Sequence, residues 1–500
     1  VATDPVAGAP VIEGIPATAS ITAGDTLSVP NVTLTAEAGL ASLTVQVDGT
    51  EIINMDLSSE TSPLTVPLFE APQTANLAAG NYVILFTLTD QDGNSTNFQH
   101  VLTVNMANVV VVDNNITENT TWETGTVYEL AGRIIVESPA ELTIQPGVVI
   151  KGQGGTGANA SALVIARGAK IFANGNANSP VIFTSVADQI QPGQIVSPNL
   201  PPTQNGLWGG LIVLGNAPIS VGGNAESAQI EGIPPSDTNG LYGGTDPDDN
   251  SGSITYISIR HGGANIGEGN EINGLTLGGV GSGTVINYVE VIANQDDGIE
   301  WFGGTVDVQN ALVWNAGDDA IDTDQDWIGT LNNFIVVAGE DTDHALELDG
   351  PEGDQRTTLG HTLINGTIKG STNAELGNLR DSVEVTISNV YFFGFPSPSA
   401  DNNGDGQADG RGDFTINNIP VPDDPEDSPD LTIENYTTNG TIVLSSLEVA
   451  LPDNTTIEQV FRGGTDQNAT AVTTPTVGAS LAPFQGGWSW AEVAGGLSDF

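Results

Sequence analysis

The sequence predicts an all-β protein in two parts, an immunoglobulin-like β-sandwich followed by a right-handed parallel β-helix. Three observations lead there. Short apolar runs bounded by Gly, Asn or Asp recur along the chain, and no long segment carries a helical period. Runs starting at Tyr288, Ala311 and Phe334 return every 23 residues. Gly 62 and Pro 28 supply turns, while 38% hydrophobic residues are enough to pack a core, which excludes a disordered chain.

Residues 1–106 hold the sandwich. Leu43-Thr44-Val45-Gln46-Val47 and Tyr82-Val83-Ile84-Leu85-Phe86 alternate, with turn signals at Asp48-Gly49 and Asp92-Gly93-Asn94. About seven short strands in a hundred residues fit this architecture. The acidic stretch Asp90-Gln91-Asp92-Gly93-Asn94 reads as a polar hairpin turn, and 105–108 as a linker. Residues 107–500 hold the solenoid. A repeat of 20–25 residues without helices describes coils that cannot close a core alone and must stack. The Leu and Asn offsets of a leucine-rich repeat are missing, and a propeller blade would be longer. Trp488 and Trp490 read as a plug for the open end of the solenoid. An acidic insertion is expected at about 396–430.

Charge narrows the function. With 62 Asp and Glu against 10 Lys and Arg, the formal net charge is −52, which repels nucleic acid and anionic lipid. Cys 0 removes disulfides, thiol catalysis and zinc–thiolate sites. No run of 18 apolar residues is present to span a bilayer. The acid excess and scarce lysine suit an extracellular setting rich in salt.

The acids are not evenly spread. Asp296-Asp297-Gly298-Ile299-Glu300, Asp318-Asp319-Ala320-Ile321-Asp322 and Asp343-His344-Ala345-Leu346-Glu347 repeat one template at spacings of 22 and 25. On successive coils they place Asp296, Asp318 and Asp343 in one column and Glu300, Asp322 and Glu347 in another. Carboxylates on adjacent coils, about 4.8 Å apart, repel by roughly 3 kcal/mol at an effective dielectric near 20. Either a cation, with Ca2+ as the expected ion, or shared protons must compensate. A second calcium motif is the loop Asp401-Asn402-Asn403-Gly404-Asp405-Gly406-Gln407-Ala408-Asp409, with oxygen donors at Asp401, Asn403, Asp405, Gln407 and Asp409. Its closing Glu is missing, so it resembles short thrombospondin- or dockerin-like calcium repeats. Trp301 and Trp327, beside the acid columns in sequence, are candidate sugar-stacking platforms. With four histidines in all, a zinc centre is not expected.

The run Gly317-Asp318-Asp319-Ala320-Ile321-Asp322 resembles the acidic core of β-helical polygalacturonases, which implies catalysis by Asp318, Asp319 and Asp322 with His344 as partner. That family's Arg-Ile-Lys element is not matched, and only Thr367-Ile368-Lys369 comes near. More broadly, the segments starting at Gly206 (Gly-Leu-Trp-Gly-Gly), Arg260 (Arg-His-Gly-Gly) and Asp297 (Asp-Gly-Ile-Glu-Trp-Phe-Gly-Gly) resemble a Bacteroidota-type family of secreted surface proteins over about 109–500. The resemblance implies a pectate-lyase-like right-handed β-helix, exported to the cell surface or lipid-anchored in the outer membrane. It says little about activity, because one fold hosts many functions. The leading expectation is a calcium-stabilised structural, adhesive or glycan-binding protein, partnered by polysaccharide, other surface proteins or copies of itself. The alternative is a polysaccharide lyase or glycoside hydrolase that uses the acids of 296–349.

Overall fold

The computed structural model describes residues 8–23, 31–66, 79–231, 233–265, 272–354, 360–398, 411–416 and 442–500. The chain forms two compact units, 1–108 with 191–194, and 109–190 with 195–500. The first is a sandwich of two sheets. Three antiparallel strands, Val11–Glu13, Val32–Thr35 and Leu64–Val66, make the smaller sheet. The larger runs in the order Thr18–Thr22, Ser95–Asn105, Gly80–Asp90, Leu40–Val47, Thr50–Asp56. Period-two alternation turns Leu43, Val45, Phe86 and Leu88 into a core where they are at most 1% exposed. In the acidic turn, the Asp90 side chain accepts hydrogen bonds from Asn94 N (2.8 Å) and Nδ2 (3.0 Å), as a hairpin turn requires.

The second unit is a stack of parallel coils. Nine short strands, from Arg133–Val136 to Phe414–Ile416, pair in parallel as one sheet, and a 15-stranded sheet carries the longer strands. Register aligns like with like. Leu275, Ile299, Ile321 and Leu346 are partners on successive coils, each 0% exposed, so every coil roofs the core of the one before. Full burial of each such side chain stabilises the fold by roughly 1.5–3 kcal/mol.

The long strands bend in mid-course at residues with positive φ: Asn310 (54°), Asn333 (60°), Asn365 (61°) and Asn389 (56°). Asparagine tolerates this left-handed conformation better than other side chains. Stacked bends let the amides bond from coil to coil, Asn310 Nδ2 donating to Asn287 Oδ1 (2.7 Å) and Asn333 Nδ2 to Asn310 Oδ1 (2.6 Å).

The C-terminal segment does not plug the solenoid. From Thr476 it runs along the outer flank of the long strands as a strap. Glu448 accepts the backbone N–H of Thr476 (2.6 Å), Asn333 that of Ser480 (2.6 Å), and Glu290 those of Trp490 (3.1 Å) and Ala491 (2.9 Å). Trp488 meets Tyr256 and Tyr288 edge-on, and Trp490 covers the buried Arg260–Glu290 pair with its ring centroid 4.8 Å from the guanidinium. These tryptophans serve as flank packing because the outward residues there, Leu312 and Ile335, are apolar and need a cover.

Candidate functional site

The three acid templates enter the short-strand sheet through Ile299–Phe302, Ile321–Asp324 and Leu346–Leu348. Alternation sends Ile299, Ile321 and Leu346 inward, so the next residue of each strand faces outward. Glu300 pairs in register with Asp322, and Asp322 with Glu347. The column continues through Asn378 and Thr415. Asp296 and Asp318 approach one another at the preceding turn, as do Asp318 and Asp343.

Between these columns lies a third that the sequence reading missed as a unit: Asp297, Asp319, His344 and Glu375. Asp297 Oδ1 accepts the N–H of Asp319 (2.9 Å), Asp319 Oδ1 accepts that of His344 (2.7 Å), and His344 bridges to Glu375. The signal was present, since the second residue of every template is Asp, Asp or His.

The stack divides into two electrostatic halves. Toward the C-terminal coils, cations meet the acids. His344 Nδ1 lies 2.9 Å from Asp319 Oδ1 and 3.8 Å from Glu347 Oε1, and its Nε2 lies 3.5 Å from Glu375 Oε2. Arg380 pairs with Glu347 and, through Nε at 2.9 Å, with Asp349. Arg411 pairs with Asp343 and reaches Glu375 at 3.6 Å. Burial disfavours the charges of both Asp319 and His344, but each stabilises the other more. The Asp319 carboxyl is held below its ordinary value and the His344 imidazole well above it.

Toward the N-terminal coils, ligand oxygens of Asp297, Glu300 and Asp322 lie within 4.8 Å of one another, and all three residues are buried. Among the described residues no ion pair reaches any of them. Asp322 Oδ1 and Asn273 Oδ1 are buried without a hydrogen-bond partner, while Asn273 Nδ2 donates to Glu300. Burial, and then like charge, pushes these carboxyls well above their ordinary range: Asp296 acts on Asp297, Asp297 on Glu300, and Glu300 on Asp322. The donor set is all oxygen and fits a hard cation.

One expectation needs correction. Trp301 and Trp327 are no sugar platforms: they are 0% and 1% exposed and stack on each other inside the coils at 4.7 Å. Residue 301 follows the outward Glu300, so alternation turns it into the core. Arg380 converges on the stack, whereas Arg260 sits under the strap and Lys369 pairs with Asp499 at 2.6 Å. Arg411, which does converge, is far from the templates in sequence. The calcium-loop residues Asp401, Asn403, Asp405, Gln407 and Asp409 lie outside the described residues. A cavity of about 400 Å³ opens beside Asn315, Gly317 and Asp341, and no column carboxylate lines it.

The family model for a pectate-lyase-like β-helix domain matches residues 114–443, well over half of the chain. No curated protein matches the sequence. Among solved structures, a family 28 exopolygalacturonase from Yersinia enterocolitica is 13% identical over 94% of this chain and 100% of its own, with a TM-score of 0.17. Pectate lyase Pel3 from Pectobacterium carotovorum is 8% identical over 88% of this chain and 96% of its own, also at 0.17. The fibronectin(III)-like modules of Clostridium thermocellum CbhA are 17% identical over 20% of this chain and 98% of theirs, at 0.14. Superposition this loose aligns no site. No helix among the described residues is long and apolar enough to cross a membrane.

Proposed function

Because the chain belongs to the pectate-lyase-like β-helix family, we propose that it is a calcium-stabilised, non-catalytic extracellular or cell-surface protein with a structural, adhesive or glycan-binding role. One observation carries this reading: Asp297, Glu300 and Asp322 converge, buried, with an orphaned oxygen on Asp322 and no ion pair among the described residues. An all-oxygen set of carboxylates is the hard donor chemistry that Ca2+ takes. Asn273 Oδ1 is a fourth donor. The second column then acts as a ladder whose lower rungs, Glu300 and Asp322, are neutralised by the ion and whose upper rung, Glu347, is neutralised by His344 and Arg380. The site is calorimetrically testable. Chelator-treated protein should take up calcium with a rise in melting temperature, and a heatless titration with no shift would refute the reading.

A second reading is favoured by one contact. The Asp319–His344 pair at 2.9 Å beside carboxyls whose proton affinity is raised, such as Glu347, resembles the acid–base pairing of glycoside hydrolysis. Here the Asp319 carboxylate, held ionised by His344, would be the base and Glu347 would donate a proton. Reducing-end release from polygalacturonate that vanishes in Asp319→Asn, with the fold retained, would establish it in place of the first.

A further inference from the structure

The first unit carries a face that its composition does not explain. Residues 1–108 contain eleven Asp and Glu and no Lys or Arg. The acids that the structure describes there sit at strand ends, in turns or on the edge strand Thr50–Asp56, as with Asp48, Asp90 and Asp92. The outer side of the five-stranded sheet is uncharged across its central strands. Two rows cross it in register, Ser42–Thr89–Ser95 and Thr44–Thr87–Asn97. The first charge met along the Ser42 row is Asp56 on that edge strand, while the Thr44 row meets Asn54. Thr87 Oγ1 donates to Asn97 Oδ1 at 2.9 Å, and Thr89 and Ser95 hydroxyls bond at 2.9 Å. The rows are therefore preordered.

We propose that this face binds an extended, uncharged polysaccharide. A protein partner would want a desolvated aromatic or Arg anchor at the centre, and the two rows offer only hydroxyls and amides. An anionic or cationic polymer would find no countercharge on it. A neutral polysaccharide presents the same alternating hydroxyl donors and acceptors as the rows. Rows of this kind repeat about every 4.8 Å across the strands and about 6.8 Å along them, so they address a polymer rather than a single small molecule. Hydroxyls already fixed by neighbours lose little freedom on binding. The inference does not rest on the cation reading of the acid stack.

The test is retention of the full-length protein on insoluble cellulose, xylan and starch, with polygalacturonate as the anionic control. Binding to at least one neutral polymer, unchanged by chelator, is expected, with none to polygalacturonate. Thr44→Glu/Thr87→Glu should lower the bound fraction at least tenfold. Thr44→Val/Thr87→Val, which keeps shape and strand preference, should lower it at least threefold with an unchanged melting temperature. Retention on none of the three, equal retention on polygalacturonate, loss in chelator, or wild-type binding by the Val pair would each overturn the proposal.

Discussion

Replacing Asp322 by Asn separates a cation site from an ordinary buried polar contact. In chelator the wild-type cluster holds three buried carboxylates within 4.8 Å. Two unit charges at that distance repel by about 3.5 kcal/mol at an effective dielectric of 20. Protonation caps the cost borne at neutral pH, so the amide should relieve about 1–3 kcal/mol. For a unit this large, roughly 2 °C or less of melting temperature accompanies each kcal/mol, and Asp322→Asn should melt about 2–5 °C above wild type. Calcium reverses the order. At a hundred times its dissociation constant it stabilises wild type by about 2.7 kcal/mol, while the variant, one charged ligand short, gains less. Differential scanning calorimetry in chelator and in millimolar calcium reads both arms. A variant less stable than wild type by the same amount in both buffers would refute the reasoning, since the carboxylate would then be an ordinary structural acceptor.

Three further outcomes follow from the fold. Burial depresses the His361 imidazole to about 3, so unfolding takes up a proton at any pH between about 3 and 6.5. Stability present above pH 6.5 should fall by up to about 4–5 kcal/mol as pH drops toward 3, and His361→Phe should flatten the slope in melts between pH 4.5 and 7.5. Glu290→Ala strands the buried Arg260 and unfastens two backbone N–H groups of the strap. A loss of about 3–5 kcal/mol is expected, with protease cleavage near 472–478 accelerating in a mass-resolved time course. Asn333→Ala should cost about 2–4 kcal/mol by urea unfolding, combining a left-handed bend with lost bonds to Asn310 and Ser480. Asn333→Gly should recover the backbone share.

The coil architecture and the outward acid column were legible because stacking converts sequence spacing into spatial register. A 22-residue step from Glu300 to Asp322 survives as a paired rung. The middle column was harder to see. Asp297 and Asp319 adjoin the acids of the turn column, and only strand phase separates them. Arg411 and Glu375 reach the stack from coils with no template. The tryptophans misled because adjacency along a strand means opposite faces. The asparagine bends had a signal in the sequence: Asn310, Asn333, Asn365 and Asn389 each stand directly before a strand half or its glycine. The strap carried none, since its partners lie up to 201 residues away.

The strap also changes how the solenoid answers force. Coils that touch only their neighbours would peel from an end one at a time, each step resisted by one rung of hydrogen bonds. Between Glu448 and Tyr256 the strap crosses seven long strands, about 29 Å at 4.8 Å per step. A pull on the last coils therefore loads Asn333, Glu290 and the Trp488 cradle together, in shear rather than in sequence. Such a chain should break late and all at once.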